Sequence, residues 1–133
     1  MKALRIIAIC LVVYLGVVVL FESLLGVILP LPEGAIVITT FDDDGASHDR
    51  VVSSLDVDGR LYVAANHWPR AWFYNALAQP EVEVAIEGER SLRQAVEVAD
   101  EERDRVAAAR PLPFVLRVLT GFPPRLFLRL DPR

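Results

Sequence analysis

The residues best suited to bind a ligand lie in one short segment, where a strand-like run gives way to a helix-like one. Within six positions the chain carries His67, Trp68, Arg70 and Trp72. A guanidinium can bind a phosphate or carboxylate through two parallel hydrogen bonds, and an indole ring can lie against a flat ring. Backbone N–H groups at a helix start are unpaired and attract anions. The segment therefore predicts a site for an anionic ligand with a planar ring.

Each of these residues also has a purely structural interpretation, and the sequence leaves both open. His67 equally suits a polar loop, and Trp68 and Trp72, four positions apart, equally suit a packing pair. Arg70 in a loop is commonly a surface residue. Asn75 lies inside the predicted helix, where its low propensity favours a structural hydrogen bond.

Composition and motifs exclude several classes of protein. The 133 residues allow one domain, and 14 basic against 18 acidic residues give a formal net charge of −4. An acidic chain is not expected to bind nucleic acid. The single cysteine, Cys10, excludes an internal disulfide and a cysteine-based zinc site.

His48 lies among Asp42, Asp43, Asp44 and Asp49, but this spacing fits no calcium loop, so no metal site is predicted. No nucleophile elbow or phosphate-binding glycine loop is present, which argues against a hydrolase or a kinase.

The N-terminal stretch predicts a single transmembrane helix. Residues 6–29 are almost entirely apolar, and about 20 such residues can cross a bilayer. A cleaved signal peptide has a shorter apolar core and small residues before the cut, which this stretch lacks. Lys2 and Arg5 precede the span, so the positive-inside rule places the N-terminus in the cytoplasm. We therefore expect residues 1–32 to form an anchor and linker, and residues 33–133 to form one domain on the far side of the membrane.

The rest of the chain predicts a mainly β domain with short helices. Asp58-Gly59 between two strand-like runs is a strong hairpin signal, and apolar residues alternate with polar ones later in the chain. Antiparallel hairpins that close on themselves suit a small barrel. The predicted elements are strands at 35–41, 50–57, 60–65, 82–86, 91–98 and 126–130, and a loop at 42–49. Helices are predicted at 71–78, where Gln79-Pro80 ends the helix, at 113–120, and from Asp100, which can cap its helix.

The predicted first helix of this domain resembles that of a known family. The pattern Ala71-Trp72-x-x-Asn75-x-x-Ala78-x-Pro80-Glu81-Val82 is similar to the hallmark helix of the deazaflavin-dependent nitroreductase and quinone reductase family. That family is a branch of the flavin-binding split-barrel superfamily. The resemblance covers about residues 35–130 and is sharpest over 60–86.

The resemblance implies a six-stranded antiparallel split β-barrel that binds coenzyme F-420, or FMN or heme as alternatives. It implies hydride transfer from a reduced deazaflavin to a quinone-like or nitroaromatic acceptor, in a possible homodimer. By the same resemblance, Asn66 and His67 meet the cofactor phosphate or ring, Trp72 flanks the ring and Asn75 braces the helix. Arg70 joins them as a candidate contact to the phosphate.

Two functions remain in view. The first is a membrane-anchored oxidoreductase, favoured by the helix pattern and by an anchor that would bring the enzyme to a lipid-dissolved acceptor. The second is a non-catalytic, membrane-tethered binding or dimerisation module. The second is favoured by Asp42, Asp43 and Asp44, which stand where many members of the family have a basic loop. The tyrosine-bearing segment of the family is replaced by a proline-rich stretch at 110–124.

Overall fold

The computed structural model describes residues 1–28, 34–66 and 71–133. They belong to two compact units. One consists of Met1–Pro30 with Leu112–Pro124, and the other of Leu31–Pro111 with Arg125–Arg133. In chain order the elements are α1 (Lys2–Ile28), β1 (Ala35–Phe41), β2 (Ser47–Val57), β3 (Arg60–Ala65), α2 (Ala71–Ala78), β4 (Glu81–Ile86), β5 (Glu89–Glu97), α3 (Asp100–Ala109), α4 (Phe114–Leu119) and β6 (Leu126–Pro132).

The first unit contains the helix expected from the apolar N-terminal stretch. The part of α1 from Lys2 to Leu25 has a mean hydropathy of 2.8, and its most apolar window is 0% buried. It is therefore long and apolar enough to cross a membrane, although a signal sequence meets the same criteria. The segment Leu112–Pro124 groups with α1, whereas the predicted division at residue 32 assigns it to the barrel domain.

The second unit is a closed barrel of six strands. The strand order is β1-β2-β3-β6-β5-β4, and β1 pairs with both β2 and β4. All six pairings are antiparallel. The predicted six-stranded antiparallel barrel is therefore confirmed. Closure gives each strand a neighbour on both sides, so no strand presents a free edge.

The interior of the barrel is filled by one face of each strand and by α2. The alternation predicted for the last strand is confirmed, since Leu128 and Leu130 point inward and are fully buried. Packing against Leu128 and Leu130 are side chains from the other five strands and from α2: Ile36, Ile38, Val52, Val63, Ala65, Trp72, Phe73, Ala76, Val82, Val84 and Ala95. Burial of these side chains is the main force that holds the barrel together.

The predicted Asp-Gly hairpin is confirmed at the β2–β3 turn. Asp58 has a φ of 54° and Gly59 a φ of 73°, so both central residues are in the left-handed region. A two-residue turn of this kind matches the twist of the flanking strands, and glycine enters that region without a steric penalty.

α3 covers the outer face of the barrel over β2, β3 and β6. Its Val106 is fully buried against Tyr62 and Phe127, which are also fully buried. The cluster is completed by Leu55, Ala64 and Val98. Phe127 is thus buried on the outside of the barrel, while its neighbours in β6 are buried on the inside.

A polar network joins α3 to these strands. The Tyr62 hydroxyl donates a hydrogen bond to Glu102 Oε1 at 2.8 Å, and Arg129 Nη1 donates to the same oxygen at 2.9 Å. Arg129 also donates through Nε to Asp131 Oδ1 at 2.8 Å. The Tyr62 hydroxyl and the Arg129 guanidinium lower the pKa of Glu102, and Arg129 lowers the pKa of Asp131. Burial, together with Glu102, raises the pKa of Tyr62.

The lowered pKa values predict a loss of stability on acidification. The unfolded chain takes up a proton near the ordinary Glu pKa of 4.5, whereas folded Glu102 takes it up at lower pH. The network therefore contributes its full stabilisation above that value and loses it as the pH falls through the folded pKa. We expect the urea concentration at the unfolding midpoint to decrease as the pH is lowered from about 5 to about 3. The decrease should be less steep in Glu102→Gln. Urea titrations at several pH values measure this, with Glu101→Gln as control. Equal slopes in the two variants would contradict the assignment.

Two local predictions are corrected. The predicted loop at 42–49 is shorter, because β2 begins at Ser47 and Phe41 of β1 pairs with it. The residues at the start of β2 are polar and do not show a strand pattern by themselves. They form a strand because they pair with β1. Asp100 was expected to cap α3, but Ala99 occupies the N-cap without a side-chain hydrogen bond. Asp100 lies in the first turn instead, where its charge still suits the helix dipole.

Candidate functional site

Those predicted site residues that the structure describes, Asn66, Trp72 and Asn75, lie at one rim of the barrel. Because β1 and β3 both run antiparallel to β2, they end at the same rim, where β4 and β6 begin. We call this the α2 rim, since α2 connects the end of β3 to the start of β4. A hollow of about 300 Å³ lies at the opposite rim, beside Gly59, Arg93 and Pro132, and no predicted site residue lines it.

Asn66 follows the last residue of β3 and contacts Arg125, which precedes β6. Its Oδ1 accepts a hydrogen bond from Arg125 Nε at 3.3 Å. Arg125 Nη1 donates to the carbonyl oxygen of Ala107 at 3.1 Å, and its guanidinium lies 5.2 Å from the centre of the Phe127 ring. The guanidinium thus orients the Asn66 amide and brings positive charge to the α2 rim.

α2 places Trp72 in the barrel interior. Trp72 is 9% exposed and meets Phe73 edge to face, with ring centres 6.0 Å apart. Phe73 is 1% exposed, whereas Tyr74 is 59% exposed. Asn75 is half-buried on the same helix. Trp72 therefore contributes to packing, and its role beside a cofactor ring stays a prediction, as does the bracing role of Asn75.

His67 and Arg70 lie outside the described residues. The structure brings the neighbouring Asn66, Trp72 and Asn75 to one rim, and the two remaining residues fall between them in the sequence. Their predicted contacts to a cofactor stay predictions.

The acidic loop after β1 lies at the same rim. Asp42 organises it: its Oδ1 accepts hydrogen bonds from the backbone N–H groups of Asp44 and Ala46 at 3.0 and 2.9 Å. Its Oδ2 lies 2.8 Å from Nε2 of His48, and this contact, together with the backbone bonds, lowers the pKa of Asp42. Asp43 and Asp44 are exposed to solvent. Of the acidic side chains at the loop's tip, only that of Asp42 is used to build the turn.

A direct hydrogen bond connects the loop to the end of α2. Gln79 Nε2 donates to the backbone carbonyl oxygen of Asp42 at 2.6 Å. The charges of Asp43 and Asp44 are thereby kept near the predicted site rather than on a remote surface.

Thr40 supplies a buried hydroxyl at this rim. The residue is fully buried, and its Oγ1 has no hydrogen-bond partner among the residues that the structure describes. A buried hydroxyl without a partner is costly unless a ligand or water completes it. This is a feature expected of a binding site.

Sequence reasoning missed Thr40, Gln79 and Arg125. Arg125 is 59 residues from Asn66, and nothing in its own neighbourhood indicates the contact. Gln79 was read only as the end of the helix. Alternation along β1 could have placed Thr40 in the interior, since it lies two positions after Ile38 and four after Ile36.

In the part of the chain that the structure describes, no group of three or more His, Cys, Asp or Glu side chains is placed to hold a metal ion. His48 and Asp42 pair with one another, as described above, and Asp49 accepts a hydrogen bond from Thr39 at 2.6 Å. The side chains of Asp42 and Asp49 are therefore engaged in contacts with other residues of the protein.

A family comparison matches most of the chain. The sequence model of the F-420H(2)-dependent quinone reductase family matches residues 23–112. Among curated proteins, no relative matches the sequence.

Several solved structures share the fold. An F-420-H2 dependent reductase (FDR-A) is 18% identical with a TM-score of 0.56, over 74% of this chain and 94% of that one. A structure described as a domain-swapped dimer is 19% identical with a TM-score of 0.59, over 78% of this chain and 84% of the other. A pyridoxamine 5′-phosphate oxidase-related, FMN binding protein from Nostoc punctiforme is 15% identical with a TM-score of 0.55, over 74% and 70%. At these identities the likeness shows the fold alone.

Proposed function

The chain belongs to the F-420H(2)-dependent quinone reductase family, and we infer that it is a membrane-anchored oxidoreductase that passes a hydride from a reduced deazaflavin or flavin to a quinone-like or nitroaromatic acceptor. The family match carries this proposal and favours coenzyme F-420. FMN and heme are the alternatives, and FMN is supported by the FMN binding protein of similar fold.

The α2 rim offers groups that fit the ring of such a cofactor. Thr40 provides a buried hydroxyl without a partner, and Asn66 provides an amide oriented by Arg125. When bound, the reduced cofactor supplies the hydride, and the protein's part is to orient it and adjust its electrostatics. We propose that Asn66 and Thr40 hydrogen-bond the ring and that Trp72 supports it from the barrel interior.

The remaining predicted contacts complete this site. We propose that His67 meets the cofactor phosphate or ring and that Arg70, beside the start of α2, holds the phosphate through a two-pronged hydrogen bond. Asn75 braces the helix that carries Trp72. Each assignment extends the resemblance described above to a residue in or next to α2 in the sequence.

Binding measurements test the proposal directly. The full chain, purified in detergent, is titrated with coenzyme F-420, FMN and heme, and fluorescence and absorbance are followed. We expect micromolar binding of one of them, weakened by Arg70→Ala but not by Arg105→Ala, an exposed arginine that pairs with Asp58 at the opposite rim. The bound reduced cofactor should then be oxidised by a short-chain quinone. Binding that is equal in both variants would remove Arg70 from the site.

The acidic loop makes a separate prediction about charge. Asp43 and Asp44 are exposed beside the site and should repel an anionic cofactor tail. We expect Asp43→Asn/Asp44→Asn to bind coenzyme F-420 several-fold more tightly at low salt. The difference should vanish near 1 M salt, where the Debye length is about 3 Å. Riboflavin, which has no charged tail, should bind both proteins equally.

The matched control for that experiment lies on α3, where Glu101→Gln/Asp104→Asn removes two exposed charges away from the rim. Equal affinities of wild type and the loop variant for coenzyme F-420 at low salt would show that the loop does not face the cofactor.

We propose that α1 anchors the protein so that a lipid-dissolved acceptor and the enzyme share one surface. Its apolar span has a mean hydropathy of 2.8. Lys2 and Arg5 before the span favour a cytoplasmic N-terminus and a barrel on the other side. A C-terminal fusion to a reporter that is active only in the cytoplasm tests this topology, and activity of that reporter would overturn it.

A second function is favoured by two observations. Trp72 is packed in the interior and the loop at the rim is acidic, as expected of a non-catalytic, membrane-tethered binding or dimerisation module. No binding of coenzyme F-420, FMN or heme, together with a homodimer in light scattering, would support the module over the enzyme. The structure described as a domain-swapped dimer shares this fold, which makes a homodimer reasonable in either case.

A further inference from the structure

We propose that the segment Leu112–Pro124 is a second membrane-contacting element, which packs on the middle of α1 and presents apolar side chains to lipid acyl chains. The inference rests on the proposed anchoring by α1. The inference also goes beyond that anchoring, because the family match does not include this segment. The match ends at residue 112, where the segment begins.

The segment exposes a continuous apolar surface. Phe114 is 70% exposed, Val115 67% and Phe122 48%, and the rings of Phe114 and Phe122 lie 6.0 Å apart. An exposed apolar cluster of this kind is uncommon on a soluble surface and marks an interaction site. The single charge of the segment, Arg117, lies over the Phe122 ring at 5.7 Å. A long arginine side chain can cover apolar surface with its methylene groups.

The contact with α1 lies inside the apolar span. The Tyr14 hydroxyl donates a hydrogen bond to the carbonyl oxygen of Val118 at 2.9 Å. A Cβ at Gly121 would come within 3.1 Å of Val18 Cγ1, so the turn approaches the helix closely. Small residues at such contacts are typical of packing between membrane segments. Tyr14 lies about 18 Å along the helix from Lys2 at ~1.5 Å per residue, near the middle of a bilayer-spanning stretch.

The backbone groups at the C-terminal end of α4 are satisfied within the segment. After α4, the N–H of Phe122 donates to the carbonyl of Arg117 at 2.9 Å, and that of Gly121 donates to the carbonyl of Val118 at 3.2 Å. This is the Schellman pattern, and Gly121 adopts the required positive φ of 75°. The Thr120 hydroxyl also bonds a carbonyl one turn earlier, at 2.8 Å. In lipid an unsatisfied backbone group costs several kcal/mol, so these bonds suit the C-terminal end of α4 to a bilayer.

Lipid is the occupant that these observations favour over a protein partner. The apolar cluster continues a helix whose most apolar window is 0% buried, so one apolar medium would cover both. The segment carries no acidic residue, and its one charged side chain, Arg117, packs on the Phe122 ring.

Fluorescence quenching by lipid tests the inference. The full chain is reconstituted in phosphatidylcholine vesicles with or without lipids that carry a doxyl quencher on the acyl chain. An NBD fluorophore is attached to single cysteines in a Cys10→Ser background, at Phe114→Cys, Val115→Cys or Phe122→Cys. Glu101→Cys on α3 is the matched exposed control. The unaltered chain, labelled at Cys10, reports on α1.

We expect doxyl lipid to quench the fluorophore on the segment several-fold more than at Glu101→Cys, with a blue-shifted emission. Quenching at Cys10 without quenching at the three segment positions would overturn this inference and leave the anchor intact. Absence of quenching at Cys10 would overturn the anchoring and this inference with it. Because all three segment positions are exposed, at least one of these cysteines should leave the fold unchanged, and circular dichroism identifies it.

Discussion

Replacing Phe73 by alanine is expected to lower the free energy of unfolding by about 3–5 kcal/mol, the usual cost of removing a fully buried phenylalanine. Phe73 is 1% exposed and packs edge to face against Trp72, so its removal leaves a cavity between α2 and the barrel interior. Urea denaturation of the full chain in detergent, followed by tryptophan fluorescence, measures the loss. Because the same helix carries the candidate site, cofactor binding should weaken in parallel.

Tyr74→Ala is the matched control on the same helix. Tyr74 is 59% exposed and contacts Phe73 edge to face at 5.6 Å. Its loss should cost about 1 kcal/mol, the value of one aromatic pair. If the two variants were equally stable, α2 would not be seated in the barrel as described.

Glu102→Ala is expected to cost about 2 kcal/mol, because it removes the charged acceptor of hydrogen bonds from both Tyr62 and Arg129. The buried Tyr62 hydroxyl would lose its acceptor, and Arg129 would lose one of its two carboxylate partners. The same urea titration measures the change at neutral pH, where Glu102 is ionised. α3 should also loosen, so its amide protons should exchange faster.

Glu101→Ala provides the control, since it removes an exposed acidic residue from the same first turn of α3. Both variants lose the same favourable interaction with the helix dipole, and the difference between them isolates the network. Tyr62→Phe should give a smaller loss, because it removes one hydrogen bond and keeps the ion pair. Equal losses in Glu102→Ala and Glu101→Ala would show that the network adds nothing to stability.

Elements marked by local signals could be predicted from the sequence. The helix at Ala71–Ala78 was predicted with its observed bounds, since Pro69 and Pro80 flank it. β3 and the Asp58-Gly59 turn followed from a residue pair that favours one turn type. Local sequence signals were therefore sufficient to predict six strands in antiparallel pairs.

Features that depend on distant residues could not be predicted. β2 starts at Ser47 because its first residues pair with β1. These residues are polar, so their sequence does not indicate a strand. The contact of Asn66 with Arg125 joins residues 59 positions apart. The grouping of Leu112–Pro124 with α1 depends on contacts across about a hundred residues, such as that of Tyr14 with Val118.

The orientation of the candidate site residues could not be predicted from the sequence. The cluster of aromatic and polar residues after β3 led us to predict a site there, and that site stays a prediction. Trp72 was expected beside a ring, yet four-residue spacing equally fitted packing, and the structure places the side chain in the interior. Which side of a short helix faces inward depends on the barrel that it covers, and that information is spread over all six strands.

The closing role of β6 has a consequence for the order in which the protein is made. β6 pairs with both β3 and β5, so it seals two strand edges at once. The ribosome adds residues 126–132 only after all the other strands have been synthesised. Until then β3 and β5 each present an unpaired edge, the kind of surface through which nascent chains associate wrongly. Rapid capture of this last strand, or a chaperone that shields the gap, would therefore decide the yield of folded protein in the cell.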